Sequence, residues 1–122
     1  MIAGATGFVG RTLAARLHGQ YYLVGLSRVA SRESARGPEA SCPVDELRTC
    51  DLSSLVATEN AVRGAECAYY LVHSMMPSTR LSQGDFWNFD LIAADNFARA
   101  ASRSGIKQII YLGGLLCCDS GF

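Results

Sequence analysis

Three glycines near the start of the chain carry the clearest chemical signal. Gly4, Gly7 and Gly10 stand in the run Gly4-Ala5-Thr6-Gly7-Phe8-Val9-Gly10, a G-x-x-G-x-x-G spacing between an apolar strand end and an amphipathic helix. A strand-to-helix turn of this kind uses one glycine for the tight turn and a second where backbone approaches a bound group. The third sits where the helix packs on the strand. The first N–H groups of the helix have no partner within it, and the helix dipole makes that end positive. The group that fits is an anion, above all a pyrophosphate. Thr6 can add a hydroxyl. No G-K-[S/T] follows, so this is not a P-loop. A glycine triplet alone also suits an ordinary turn; the strand before and the helix after it favour nucleotide binding.

Arg28 and Asp51 bear on which nucleotide. An NAD site places an acid about 20 residues beyond the fingerprint, at the end of the second strand, for the ribose diol. Here that strand ends in Leu26-Ser27-Arg28, and no acid follows before Glu33. A guanidinium can clamp a 2′-phosphate and stack on adenine, which favours NADP over NAD. The plain alternative is a solvated loop arginine. Asp51 follows the third strand, at the edge where adenine would lie. It can accept from an adenine amino group or serve as an acid at a helix N-terminus, and the two roles are compatible. His73, at the mouth of the crevice, has a titratable imidazole but no identifiable carboxylate partner. Hydrogen bonding to cofactor or loop suits it better than catalysis.

No metal site is expected. His18 and His73 lie far from any cysteine pair at ligand spacing. Asp85, Asp90 and Asp95 recur every five residues, which at about 100° per residue spreads them around a helix.

The elements that must position these residues alternate. A short strand over 1–3 leads into the glycine loop and a helix over 8–18, with Val9, Leu13 and Leu17 on one face. A strand follows over 21–26, then a Ser-, Arg-, Gly- and Pro-rich loop over 29–44 and a modest strand over 46–50. Ser53 or Ser54 caps a second helix, with Leu55, Val56 and Val62 facing inward. A strand over 67–72, a loop over 73–81 and a long helix over 82–104 come next. That helix carries Phe86, Phe89, Ala93, Phe97 and Ala100 along one face. Trp87, beside Phe86 and Phe89, reads as packing or a subunit contact. A fifth strand runs over 108–112. This alternation predicts an α/β fold, a doubly wound parallel sheet of Rossmann type in order 3-2-1-4-5, with the ligand crevice between strands 1 and 4. Residues 1–122 read as one domain, truncated after strand 5 and without a substrate-binding part.

The composition agrees. Of 122 residues, 49% are hydrophobic and 18% charged, enough apolar matter for a core. Eleven basic residues balance eleven acidic ones, which argues against a nucleic-acid or anionic-membrane surface. No apolar run approaches a membrane span, and no signal peptide is legible. The five cysteines form no C-x-x-C pair, and read as free thiols in a reducing cytoplasm.

Together these residues resemble the atypical short-chain dehydrogenase/reductase superfamily. The likeness rests on GATGFVG, Ser27-Arg28, Asp51-Leu52, the run Tyr69-Tyr70-Leu71-Val72-His73-Ser74-Met75, and Gly105-Ile106-Lys107 leading to Leu112-Gly113-Gly114. The run YLVHSM with a later YLGGL is similar to a subgroup related to the NmrA-like regulators and the 39-kDa accessory subunit of respiratory complex I. The resemblance implies that Gly4, Thr6, Gly7, Phe8, Val9 and Gly10 hold the pyrophosphate. Ser27 and Arg28 would bind the cofactor, and Arg28 falls where NAD-preferring relatives carry an aspartate, which supports NADP. Asp51 and Leu52 would frame adenine, and Leu71, Val72 and His73 would line the path of the nicotinamide ribose. It also implies a dimer through the helix at 82–104 and a small-molecule substrate. Active members carry a Tyr-x-x-x-Lys pair, in which the lysine lowers the tyrosine pKa. Here the only lysine is Lys107, and position 103 is Arg103. A serine usually follows strand 5, where Gly113-Gly114 stands. No catalytic set is visible. The expectation is an NADP-binding domain of an oxidoreductase-like protein; a non-catalytic redox sensor or accessory subunit is the alternative.

Overall fold

The computed structural model describes residues 1–28, 42–73 and 83–113, with backbone alone over 83–87. The elements run β1 (Ile2–Ala3), α1 (Phe8–Leu17), β2 (Val24–Ser27), β3 (Glu46–Thr49), α2 (Leu55–Ala61), β4 (Cys67–Tyr70), α3 (Gln83–Ser104) and β5 (Gln108–Tyr111). Every strand pairing is parallel, and the sheet order is β3-β2-β1-β4-β5. This is the expected doubly wound arrangement. Parallel neighbours need crossovers, and the two sheet faces take the helices.

Side-chain alternation on β1 divides the core. Ala3 points with Leu26, Ala68 and Tyr70 into a layer completed by Val62 of the α2 end and by Ala93, Phe97 and Ala100 of α3. Ile2 points the other way, with Ala5, Ala14 and Leu23, beneath α1. The two-residue β1 suffices because both faces are covered and both neighbours pair with it, Ile2 opposite Gly25 and Tyr69, Ala3 opposite Leu26 and Tyr70.

Several helix faces differ from the periodicity. Val9 is not inward-facing but 45% exposed; α1 buries Gly10 and Ala14, and Leu13 and Leu17 pack at the margin. The small residues win because α1 sits too close to β1 for branched side chains between them. Val56 is exposed, and α2 buries Thr58 and Ala61 instead. Ser54, one of the two serines considered, is the N-cap and accepts from the Ala57 N–H at 3.3 Å. Tyr21 and Tyr22 are exposed and precede β2, which starts at Val24 and ends with buried Ser27. On α3 the expected stripe holds at Ala93, Phe97 and Ala100. The side chains of Asp85, Phe86 and Trp87 lie outside the described residues, as do residues 29–41 and 74–82, Gly114, Cys117 and Cys118.

Candidate functional site

The glycine loop leaves β1 at Gly4, whose φ of +88° is left-handed backbone that favours glycine. The Gly7 N–H donates to the Gly4 carbonyl at 3.1 Å, closing the turn. Gly7 then serves as N-cap of α1 with no side-chain bond to the helix, so the first α1 amides are left facing outward beyond the loop. Gly10 sets how deep the helix sits. A Cβ there would stand 2.1 Å from the Gly4 carbonyl oxygen and 2.8 Å from the Ala5 Cα. Strand β4 closes the other side: the Leu71 N–H donates to the Ala3 carbonyl at 2.9 Å, and a Cβ on Gly4 would meet the Leu71 carbonyl group at 3.1 Å. Loop and strand end therefore press together at the switch between β1 and β4. Such a cradle, tight at the backbone and open at the helix amides, fits a pyrophosphate. Phe8 is 81% exposed above it.

A second wall stands at the ends of β2 and β3. The Cys50 N–H donates to the Ser27 carbonyl at 2.8 Å, which fastens the two strand ends together. Arg28 is exposed just beyond. The Asp51 carboxylate accepts from the Ser53 hydroxyl at 2.7 Å and the Ser53 N–H at 2.9 Å. These two bonds hold its pKa below the ordinary 3.8, and the nearby Arg28 guanidinium adds a smaller pull in the same direction. Asp51 is thus an anion within electrostatic reach of Arg28, held in a turn before α2. Leu52 turns its side chain into the core, and its carbonyl accepts from Asn96 Nδ2 at 2.8 Å. Only the Leu52 backbone is left at this wall.

At the end of β4, Val72 is half-buried and His73 exposed. The His73 Nε2–H donates to the Leu112 carbonyl at 2.8 Å, which assigns the proton to Nε2 because a carbonyl only accepts. Its ring meets Tyr111 edge-on at 5.9 Å. His73 therefore ties the β4 exit to the β5 exit, the loop role considered for it from sequence. Tyr111 and Asn96 carried no assigned role there; a buried amide within an apolar helix stripe is the signal that could have found Asn96.

The model of the NAD dependent epimerase/dehydratase family matches residues 1–117. The chain belongs to that family. Among curated relatives, the auxiliary protein GraX of Staphylococcus aureus is 25% identical over 114 residues, covering 93% of this chain and 36% of that one. Uronate dehydrogenase of Pseudomonas putida is 27% identical over 111 residues, covering 91% of this chain and 38% of that one. The chain thus spans little more than a third of these relatives. Among solved structures, gox2253 superposes with a TM-score of 0.75 at 27% identity, over 98% of this chain and 36% of that one. Two others share the fold at 20% identity: an Agrobacterium tumefaciens uronate dehydrogenase variant complexed with NAD and Citrobacter sp. triphenylmethane reductase complexed with NADP(H). Their TM-scores are 0.70 and 0.71; they cover 93% and 98% of this chain, and 39% and 38% of their own chains are covered.

Within this family member, the one lysine stands away from the candidate site. Lys107 precedes β5, at the N-terminal end of the parallel strands, whereas the glycine loop leaves β1 at the C-terminal end. Its N–H donates to the Glu66 carbonyl at 2.9 Å and its ammonium pairs with the Glu66 carboxylate at 3.6 Å. Arg103 is ion-paired with Glu59 of α2. Beyond β5, a Cβ on Gly113 would meet the Tyr111 ring at 2.9 Å. Among the described residues, no helix is long and apolar enough to cross a membrane.

Proposed function

We propose that this chain is the nucleotide-binding part of a nicotinamide-dependent oxidoreductase, with NADP preferred. The carrying observation is the cradle at Gly4, Gly7 and Gly10, pressed against Leu71 and opening onto the α1 amides. In this reading the backbone at Gly4, Gly7, Phe8, Val9 and Gly10 seats the pyrophosphate, with Thr6 adding a hydroxyl. Ser27 closes the ribose floor and Arg28 neutralises the 2′-phosphate. Asp51 and the Leu52 backbone border adenine, and Leu71, Val72 and His73 flank the nicotinamide ribose. The cofactor, when bound, supplies hydride transfer to or from a small carbonyl-type substrate. The relatives' complexes include both NAD and NADP(H), and Arg28 is what favours the phosphorylated form.

Calorimetric titration of the full chain with NADPH and NADH tests this. Tighter binding of NADPH, with the preference lost in Arg28→Ala, is the expected result. Equal affinities unchanged by the substitution would refute the NADP assignment, and no binding by folded protein would refute the cofactor reading.

A non-catalytic role as redox sensor or accessory subunit is the second reading. It is favoured by Lys107 and Arg103, which are engaged in ion pairs away from the crevice. Cofactor binding without turnover of any carbonyl substrate by the whole protein would support it. For assembly we propose a homodimer through α3, where Leu91 is 68% and Ile92 49% exposed. Light scattering that shows a monomer would exclude it. The buried thiols Cys42 and Cys50 suit a reducing cytoplasm.

A further inference from the structure

Asn96 is a buried polar side chain on the apolar face of α3, flanked by fully buried Ala93 and by Phe97 and Ala100. An amide in such a place costs stability unless its groups are bonded. Both its hydrogens are used: Nδ2 donates to the Leu52 carbonyl at 2.8 Å and to the Ser53 carbonyl at 3.0 Å. These acceptors lie 44 and 43 residues earlier in the chain, in the turn that carries Asp51. The same turn is closed from within. Asp51 accepts from the Ser53 N–H and hydroxyl, and the Ser54 N–H donates to the Asp51 carbonyl at 3.1 Å. The outer side of the turn is the Asp51–Arg28 wall; its inner side rests on Asn96.

We propose that Asn96 is a positioning residue for the adenine side of the site: it fixes the turn at Asp51, Leu52 and Ser53 against α3 and so sets where Asp51 stands. This rests on the dinucleotide reading above. The geometry gives the amide a task no apolar neighbour performs. One planar NH₂ bridges two consecutive carbonyls, which fixes both the height and the tilt of the turn. The turn's own bonds fix its internal shape, and the bonds from Asn96 tie that closed turn to α3. A group that locks the supporting backbone sets the geometry of the side chains that touch a ligand.

The test uses the full chain, with Asn96→Ala and the milder Asn96→Ser, which keeps one donor. Arg48→Ala is the matched control, because Arg48 Nη1 donates to the Ala61 and Arg63 carbonyls at the far end of α2, away from Asp51. Three quantities are read: the Asp51 carboxyl titration by NMR, the affinity for 5′-ADP, and the affinity for inorganic pyrophosphate, which needs only the glycine loop. In Asn96→Ala, Asp51 should titrate at higher pH than in the parent. Affinity for 5′-ADP should fall about tenfold, while that for pyrophosphate holds. Asn96→Ser should fall between, and Arg48→Ala should move none of the three. Unchanged Asp51 titration and 5′-ADP affinity in either folded Asn96 variant would overturn the proposal. Equal losses for 5′-ADP and pyrophosphate would overturn it too, as general loosening. If the parent chain binds pyrophosphate but not 5′-ADP, the adenine role falls; if it binds neither, the dinucleotide reading itself falls. The Asp51 titration still decides whether Asn96 sets the turn.

Discussion

Replacing Gly10 with alanine puts a methyl carbon 2.1 Å from the Gly4 carbonyl oxygen and 2.8 Å from the Ala5 Cα, both below the 3.0 Å that real Cβ contacts keep. Neither obstacle is a flexible side-chain tip. The Gly4 oxygen accepts the Gly7 N–H at 3.1 Å, so its retreat breaks the turn, and Gly4 already holds a φ of +88°. Helix α1 must instead move off the sheet by roughly 1 Å, against interior packing that tolerates little displacement. Overpacking costs about 1–3 kcal/mol, and backbone obstacles put this case at the upper end. For a chain of this size that is a fall in Tm of roughly 10 °C. The same movement carries the α1 amides away from the anion they face, so affinity for a dinucleotide should fall at least about tenfold. Gly7→Ala is the comparison: at Gly7 φ is −72°, and a Cβ there meets only the Gly4 oxygen at 3.3 Å. It should cost less than about 1 kcal/mol. Thermal and denaturant unfolding, with calorimetric binding, read both variants. If Gly10→Ala matched Gly7→Ala in stability and binding, the inferred contact between loop and helix would be wrong.

Arg48 bonds the Glu46 carboxylate at 2.8 Å and the Ala61 and Arg63 carbonyls at 2.8 and 2.7 Å, so Arg48→Ala should cost about 1–2 kcal/mol in denaturant unfolding, discounted for the exposed ion pair. A parent-like midpoint would contradict that. Asp51 has a folded pKa below its ordinary 3.8, so its contribution to stability is complete above that value and fades as pH falls through the folded one. Glu46 behaves in the same way, held down chiefly by its hydrogen bond from Arg48. Denaturant midpoints measured from about pH 6 to pH 2 should therefore fall on acidification, and less steeply in Ser53→Ala; parallel curves would remove Ser53 as the cause. Strand β5 forms a sheet edge with Ile109 41% and Tyr111 63% exposed, so Ile109→Lys should raise the solubility of the isolated chain. Monodisperse parent protein at high concentration would show that this edge needs no such protection.

The sheet order, the glycine loop and the α3 stripe were legible because each follows from short-range pattern. Parallel crossovers allow few topologies, and Ala93, Phe97 and Ala100 recur at helical spacing through a helix that packs on the sheet. Hydrophobicity misled where backbone proximity decides burial. Val9 and Val56 were assigned inward faces, yet Gly10, Ala14, Thr58 and Ala61 occupy them, because the closest contacts admit only small side chains or a hydroxyl that bonds the helix itself. Tyr21 and Tyr22 looked like strand core, but lie before the point where β2 meets its neighbours. The residues of the candidate site were named from sequence as expectations; the long-range bonds around them were not. Asn96 reaches 43 and 44 residues back along the chain, and His73 reaches 39 residues forward to Leu112. No local spacing encodes such bonds.

The proton chemistry near the crevice bears on the choice between enzyme and accessory module. Tyr70 lies at the end of β4, two residues before Val72, and invites comparison with a catalytic tyrosine. It is buried against Phe97, with ring centroids 5.0 Å apart, and desolvation pushes its phenol up to about 12. A tyrosine that exchanges protons near neutral pH needs the opposite shift, which a nearby cation supplies. The only lysine, Lys107, is at the opposite end of the strands from Tyr70, paired with Glu66. His73 has its Nε2–H committed to the Leu112 carbonyl, so Nδ1 is the ring atom left to meet a ligand, as an acceptor in the neutral form. In the proposed reading, the role left to this crevice edge is binding and orientation. A full oxidoreductase cycle would need its proton donor brought to the nicotinamide by a group other than Tyr70 or Lys107.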